Sequence, residues 1–138
     1  MMKRRDVAVL ILYDGDKVLL QKRSKTAKRF PRKWGLFGGG IEEGECPLDG
    51  LKREIIEELN LKLDTAKDIY DLDYTLDEKN EVGTIYTFIS KYHNEKLELN
   101  EGEEMRWVGF DEVLNYDLSN QYRKILEYIS MNRHVLLC

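Results

Sequence analysis

The hydrophobic residues near the start of the chain are arranged as in a buried β-strand. Residues 7–13 form an uninterrupted apolar run, which is typical of a strand that is covered on both faces. A turn follows at residues 14–16, and residues 17–21 are again largely apolar, so the segment predicts a β-hairpin. Residues 22–33 have no clean periodicity and contain Pro31, and we expect them to form a loop.

Two helices and several strands are expected in the rest of the chain. One helix is predicted over residues 47–60, since Pro47 is favoured at the first helical position, and another over residues 119–131. Strands are predicted over residues 34–37, 69–76, 82–92 and 105–110. Helices separated by strands in this order indicate an α/β protein, with a mixed β-sheet between two helices.

One face of the helix predicted over residues 47–60 opposes the stability of that helix. Glu54, Glu57 and Glu58 fall on one stripe, where like charges cost roughly 0.2–0.5 kcal/mol per pair. They also lie in the C-terminal half, where the helix dipole disfavours anions. Gly50 on the same stripe costs about 1 kcal/mol relative to alanine. Conflicts of this kind are expected where residues serve a functional site.

The three glutamates also form an oxygen-rich group within one helical turn. Such a group suits Mg²⁺ or Mn²⁺, and a bound cation would relieve the repulsion between the carboxylates. The alternative interpretation is an acidic face that only contacts solvent.

The segment around this helix resembles a known family. Residues 39–61 read GGIEEGECPLDGLKREIIEELNL and are similar to the Nudix (MutT-like) box, G-x5-E-x7-R-E-U-x-E-E-x-G-U, in which U is a bulky aliphatic residue. The matching residues are Gly39, Glu45, Arg53, Glu54, Ile55, Glu57, Glu58 and Leu61. Asn60 stands where the box has glycine, at a position expected to need a left-handed backbone conformation, which asparagine tolerates best after glycine. The resemblance implies a Nudix-type α/β/α sandwich, in one domain over residues 1–138.

The resemblance also implies an activity and its catalytic residues. Nudix enzymes use divalent cations and water to hydrolyse a nucleoside diphosphate linked to another group. The catalytic residues implied here are Glu54, Arg53 and Glu57. Glu54 is the candidate base, although family members differ in this respect, and Arg53 is expected to hold Glu54 or Glu45 in position.

The implied metal ion is Mg²⁺ or Mn²⁺. Its implied ligands are Gly39, Glu54, Glu57, Glu58 and Glu101. Glu101 is preferred to Glu103 and Glu104 because Glu101-Gly102 forms a flexible loop that can approach the metal.

The charge of the chain is unevenly distributed, which bears on substrate binding. Residues 1–33 contain eleven Lys and Arg and three Asp, a balance of +8, whereas the whole chain has a net charge of -4. The basic segment 22–33 would either attract a polyphosphate or simply contact solvent. Arg23 is the preferred substrate-binding residue, because related enzymes place an arginine after the second strand. Asn120 resembles in position a residue that reads the purine, and the alternative is that Ser119 or Asn120 is a plain helix N-cap.

Composition limits the classes of protein that remain. The apolar run 7–13 is far shorter than the ~20 residues needed to cross a bilayer, so no membrane partner is expected. Cys46 and Cys138 have no metal-ligand spacing, which is consistent with a cytoplasmic, reducing location. A small-molecule nucleotide is the expected partner. The acidic net charge argues against nucleic acid, and a homodimer is common in the family although no apolar stripe requires one.

Several substrates remain open at this level. The leading hypothesis is pyrophosphate bond cleavage in a nucleotide, with the removal of oxidised guanine nucleoside triphosphates as one candidate role. The alternatives are a nucleotide-sugar or dinucleoside-polyphosphate hydrolase, a non-catalytic Nudix-fold nucleotide-binding module and an RNA-end processor.

Overall fold

The fold combines one mixed β-sheet with two α-helices. A computed structural model describes residues 1–137; the second cysteine, Cys138, lies outside the described residues. The strands are β1 (Lys3–Arg4), β2 (Val7–Asp14), β3 (Lys17–Lys22), β4 (Trp34–Gly35), β5 (Phe37–Gly40), β6 (Lys67–Leu76), β7 (Glu81–Lys91) and β8 (Glu104–Gly109). The helices are α1 (Pro47–Leu59) and α2 (Asn120–Leu136).

The sheet opens between β2 and β3, and this opening positions the site. Strands β2 and β3 pair as a hairpin at Tyr13–Val18 and Asp14–Lys17. Farther from the turn, β2 pairs instead with β5, antiparallel, and β3 pairs with β4 and β8. On its other side β2 runs parallel to β7, which also pairs with β1 and β6. The glycine-rich strand β5 therefore lies in the gap between the two halves of the sheet.

The two faces of the sheet are covered by different helices. Ala8, Leu10 and Leu12 of β2 pack in one cluster with Leu51, Ile55 and Leu59 of α1. The alternate residues Val9 and Ile11 pack in a second cluster with Ile125, Leu126 and Ile129 of α2. Full burial of one such side chain contributes roughly 1.5–3 kcal/mol. The predicted α/β/α sandwich, with an apolar first strand covered on both faces, is confirmed.

The strands and α-helices agree with the sequence prediction to within two residues except in three places. The strand predicted over residues 34–37 is divided into β4 and β5, with Leu36 between them. Helix α2 continues to Leu136 rather than ending at residue 131, since no Gly or Pro interrupts the segment. Strand β1 was not predicted, because its two exposed basic residues carry no apolar pattern.

The end of α1 has the conformation expected from the sequence. Asn60 is left-handed, with φ 53° and ψ 36°, and its N–H donates to the carbonyl of Ile56 at 3.0 Å. The interpretation of Asn60 as a structural substitute for glycine is consistent with this geometry. Among residues 1–137, neither helix has the length and hydropathy required to cross a membrane.

Candidate active site

A pocket of about 200 Å³ lies where β5, α1 and the start of α2 meet. Its charged side chains divide into two groups. The acidic group is Glu54, Glu58 and Glu101, and the basic group is Arg5, Arg23 and Arg29. The segment Gly38–Gly40 of β5 forms part of the wall between them. A Cβ on Gly39 would strike Glu54 and one on Gly40 would approach Arg5, so β5 separates a carboxylate end from a guanidinium end at these two residues. Arg23 also lines a neighbouring pocket together with Glu101.

Glu58 is the most buried acid of α1. It is 4% exposed, and its carboxylate accepts the backbone N–H of Gly38 at 2.9 Å. Burial raises the pKa of Glu58 to about 8, and the negative charges of Glu54 and Glu101 act in the same direction. A buried anion beside two further carboxylates is a position that a cation would stabilise.

Glu54 lies against the glycine-rich strand. A Cβ placed on Gly39 would come within 2.5 Å of the Glu54 carboxyl carbon, so a side chain at position 39 would displace the carboxylate. Burial raises the pKa of Glu54, whereas the hydrogen bond from Arg53 opposes that rise. The glycine at position 39 is thus explained by the close approach of Glu54.

Arg53 connects the acids of α1 to the preceding loop. Its guanidinium donates to both oxygens of Glu45 at 2.9 Å, to Glu54 at 3.0 Å and to the carbonyl of Gly40 at 3.0 Å. The bond from Arg53 is the main reason that the pKa of Glu45 is lowered to about 2. Sequence analysis left open whether Arg53 holds Glu54 or Glu45, and the structure shows it bonded to both.

The acidic group suits a hard divalent cation by its chemistry. The side chains of Glu54, Glu58 and Glu101 offer only oxygen atoms to a cation. Repulsion from Glu54 and Glu101 helps to raise the pKa of Glu58. Within residues 1–137, no three Asp, Glu, His or Cys side chains converge closely enough to coordinate a single ion. The residues fit a cation by donor type and charge.

The guanidinium end is held together by an internal ion pair. Arg29 donates through both terminal nitrogens to Glu81, whose carboxylate also accepts the Tyr74 hydroxyl at 2.9 Å. The carbonyl of Arg29 accepts the Nε–H of Arg23 at 2.6 Å. Because Glu81 begins β7, these contacts fasten the basic segment 22–33 to the sheet and place Arg23 in the pocket.

Comparison with known proteins identifies the family. The family model of the NUDIX domain matches residues 2–129. The chain belongs to the Nudix family. It is 32% identical over 135 residues to nucleoside triphosphatase NudI of Escherichia coli O17:K52:H18 (strain UMN026 / ExPEC), covering 91% of this chain and 96% of the relative. This Nudix protein is therefore a hydrolase.

Solved structures show the same fold. The crystal structure of the MutT protein from Methanosarcina mazei Go1 superposes with a TM-score of 0.85 over 96% of both chains, at 21% identity. The NUDIX domain of Shewanella oneidensis NrtR, in complex with ADP ribose, gives a TM-score of 0.74 at 18% identity, covering 98% of this chain and 89% of that one. Nudix hydrolases generally use divalent metal ions and bind small nucleotides.

The Nudix pocket contains only part of the predicted site. Gly39, Glu54, Glu58, Glu101 and Arg23 line it. Arg53 lies behind Glu54, and the Glu57 side chain is 54% exposed and does not line the pocket. Asn120 is exposed and also lies outside the pocket, because Ser119 is the N-cap and directs its neighbours Gln121 and Tyr122 inward.

The remaining acids and bases near the Nudix site have other contacts. Glu103 accepts the N–H of Lys25, and Glu104 pairs with Arg106, which leaves Glu101 as the member of this loop that lines the pocket. Lys33 pairs with Asp117 at 2.8 Å. None of the lysines of segment 22–33 lines the pocket. The basic residues of this segment that line the pocket are Arg23 and Arg29.

Sequence reasoning did not single out several pocket residues. Arg5, Arg29 and Tyr122 come from three distant segments that only the fold brings together. Arg29 carried a usable signal, since it lies in the basic segment, but nothing in the sequence distinguished it from its neighbours. Among the aromatic residues near the pocket, Phe37 is 1% exposed and belongs to the core, whereas Phe30 lines the pocket.

Proposed function

We propose that this Nudix hydrolase cleaves a pyrophosphate bond of nucleoside triphosphates, with Mg²⁺ or Mn²⁺ as its cofactor. The observation that carries the proposal is the division of one pocket into a carboxylate end and a guanidinium end. A nucleotide bound to a divalent cation matches this division. Its negatively charged phosphates need cations, whereas its nucleoside does not. The name of the relative NudI, a nucleoside triphosphatase, supports triphosphates as the class to test first.

The carboxylate end is the proposed cation site. Glu54, Glu58, Glu101 and the carbonyl of Gly39 are the proposed ligands, and Glu57, one turn beyond Glu54, adds a further carboxylate. When bound, the cation would neutralise phosphate charge and acidify a bound water. Arg23 at the rim would bind phosphate oxygens, for which a guanidinium is well suited.

Glu54 is the proposed general base. A water oxygen attacks the phosphorus, Glu54 accepts the proton, and the bond from phosphorus to the bridging oxygen breaks as the leaving phosphate departs. Burial raises the pKa of Glu54 and so makes its carboxylate a better proton acceptor. Arg53 keeps the Glu54 carboxylate oriented through a bond of 3.0 Å. Arg53 is in this sense a positioning residue.

The finer choice of substrate is the second part of the proposal. Oxidised guanine nucleoside triphosphates belong to the triphosphate class, and their removal from the nucleotide pool is one role that this pocket would serve. Nucleotide sugars and dinucleoside polyphosphates contain the same type of bond. They are therefore the natural comparison substrates.

A hydrolysis panel tests the proposal. Ordinary and oxidised nucleoside triphosphates, nucleotide sugars and dinucleoside polyphosphates would be incubated with Mg²⁺, and the products identified by chromatography. We expect triphosphates to be cleaved best. Glu54→Gln should lower kcat by about 10²–10⁴, as expected for loss of a general base.

The matched control is Glu127→Gln, which removes one exposed carboxylate from α2 and should leave the rate unchanged. Absence of hydrolysis of every substrate in the panel would contradict the proposal. So would a Glu54→Gln variant as active as the wild type.

A further inference from the structure

Arg5 is a pocket residue whose charged group has no protein partner. Its backbone is well anchored: the N–H donates to Val82 at 2.8 Å, and the carbonyl accepts the Tyr74 hydroxyl at 2.6 Å. Its guanidinium forms no hydrogen bond or ion pair with residues 1–137, and the Nε atom is buried. A buried hydrogen-bond donor without an acceptor destabilises a protein. The position of this donor beside a pocket therefore points to a ligand that supplies the acceptor.

Arg29, in the same pocket, has its positive charge neutralised by a carboxylate. Arg29 and Glu81 form a paired contact through two hydrogen bonds. Arg5 also acts electrostatically on Glu81, but that carboxylate is already engaged by Arg29 and Tyr74. Two guanidiniums thus share one carboxylate, and Arg5 contributes an uncompensated positive charge.

The register of β5 separates Arg5 from the proposed cation site. Gly39 pairs with Ala8, which packs on the α1 side, and Gly40 pairs with Val7, which packs on the α2 side. Consistently, a Cβ on Gly39 would strike Glu54, whereas a Cβ on Gly40 would come within 3.2 Å of the Arg5 guanidinium. Phosphates bound at the carboxylate end would therefore lie on the opposite side of β5 from the Arg5 guanidinium.

Tyr122 is a second pocket residue whose polar group is available to a ligand. Its hydroxyl makes no hydrogen bond with any residue in the described range 1–137, and the residue lines the pocket. Arg23, Glu58, Arg5 and Arg29 all act electrostatically on it. The ring contacts Gly35, where a Cβ would come within 2.6 Å, so its position is fixed by packing.

We propose that Arg5, together with the Tyr122 hydroxyl, binds the nucleobase of the substrate and selects bases that carry a carbonyl oxygen over adenine. A guanidinium offers only donors. Guanine, cytosine, uracil and thymine each present a carbonyl oxygen, whereas adenine presents an amino donor beside its ring acceptors. Adenine would therefore place a donor against the Arg5 donors. This inference rests on the proposed function, because it assumes a nucleotide in the pocket.

Binding of nucleoside monophosphates tests the inference without hydrolysis, since they contain no pyrophosphate bond. Calorimetry with Mg²⁺ present would compare GMP, CMP, UMP, AMP and inorganic phosphate on the wild type and on Arg5→Met. We expect the wild type to prefer the carbonyl-bearing nucleotides, and Arg5→Met to reduce that preference by about tenfold or more, as for loss of a paired base contact. Binding of AMP and of phosphate should stay unchanged, and the Tm should be unchanged or higher.

Two further variants make the outcome decisive. Arg4→Met removes the neighbouring charge, which is exposed and paired with Asp6, and should keep the preference. Arg5→Lys keeps a positive charge that offers only donors but lacks the planar fork, so it should remain folded and retain only part of the preference, even if Arg5→Met does not fold.

Equal weakening of AMP, phosphate and the other nucleotides by Arg5→Met would overturn the inference, because it would make Arg5 a phosphate ligand. A wild type without base preference would overturn it as well. Base-selective binding without hydrolysis of any triphosphate would support the role of Arg5 and reject the proposed function, so the two failures are distinguishable.

Discussion

The two helices of this Nudix hydrolase differ in how their ends are built. Helix α2 begins after Ser119, whose hydroxyl accepts the N–H of Tyr122 at 3.3 Å, and it has Arg133 and His134 in its last turn. Helix α1 begins after Cys46, which provides no side-chain cap, and has no basic residue in its last turn. Its last residues instead include Glu57 and Glu58.

The difference separates packing from function. A side-chain N-cap stabilises a helix by roughly 0.5–2 kcal/mol. A basic residue in the last turn stabilises it by roughly 0.3–1 kcal/mol. Helix α2, whose main role is to cover one face of the sheet, has both. Helix α1 has neither and carries three acids together, of which Glu54 and Glu58 line the pocket and Glu57 is half-exposed. Local rules of stability are broken where the helix supplies the site.

The largest expected effect comes from breaking the contacts that hold the α1 acids. Lysine cannot reach Glu45, Glu54 and the Gly40 carbonyl together, so Arg53→Lys should lower kcat by about 10–100-fold. The measurement is the steady-state rate on the best triphosphate.

The matched control is Arg123→Lys on α2. Arg123 donates to the carbonyls of Leu114 and Tyr116, so this variant should lower the Tm and leave kcat unchanged. Equal losses of kcat in the two variants would mean that Arg53 is only structural.

Substitutions at the N-caps of the two helices should change the free energy of unfolding in opposite directions. Ser119→Ala removes the α2 cap and should reduce the free energy of unfolding by ~1 kcal/mol. Cys46→Ser supplies an oxygen where α1 has none and should raise it by up to ~1 kcal/mol. Urea denaturation of both variants would show this, and two losses of similar size would contradict the comparison.

The C-terminal end of α1 offers a smaller test. Asn60→Gly should change the free energy of unfolding by only a few tenths of a kcal/mol, because both residues accept the left-handed conformation. Asn60→Ala should lower it by about 1 kcal/mol. Loss of activity in a folded Asn60→Gly protein would show that the side chain has a role beyond the cap.

Two neighbouring aspartates, Asp68 and Asp71, also carry like charges, and they lie outside the pocket. Burial, a hydrogen bond with Asp71 and the repulsion between the two raise the pKa of Asp68 on β6 to about 6. Since this pKa lies above the value of about 3.9 for an unfolded chain, the stability that Asp68 contributes is present below pH 4 and lost as the pH rises through 6.

Asp68→Asn should therefore raise the Tm slightly at pH 7.5 and not at pH 3.5. The effect is small because the residue is exposed and water screens its charge. An equal shift at both pH values would show that the repulsion contributes nothing.

Sequence patterns predicted the sandwich because the apolar periodicity is strong. The run in β2 and the stripes of α1 and α2 are buried as expected. The left-handed conformation of Asn60 was also predicted from the sequence. Strand β1 could not be predicted, since pairing with β7 alone holds its two exposed residues.

Part of the site was predictable from the spacing of residues on one helix, and part only from the resemblance to the Nudix box. Glu54 and Glu58 lie on one stripe of α1 and could be inferred from their spacing. Arg53, Arg23 and Glu101 were implied by the resemblance. Arg5 and Tyr122 are 117 positions apart, and only the opening of the sheet at β5 brings both to the pocket. Asn120 was predicted to reach the substrate, but a shift of one residue along α2 is enough to direct a side chain outward.

The response of the melting temperature to Mg²⁺ tests the central claim most directly, namely that the conflict on α1 serves a cation site. The Tm of the wild type should rise with Mg²⁺ concentration, as linkage to binding requires. Glu58→Gln keeps an oxygen for the Gly38 N–H but removes a carboxyl whose ionisation burial disfavours, so it should be at least as stable as the wild type without Mg²⁺ and should lose the rise. Glu127→Gln should retain it. A wild type that does not respond to Mg²⁺, or a Glu58→Gln variant that responds equally, would contradict the account.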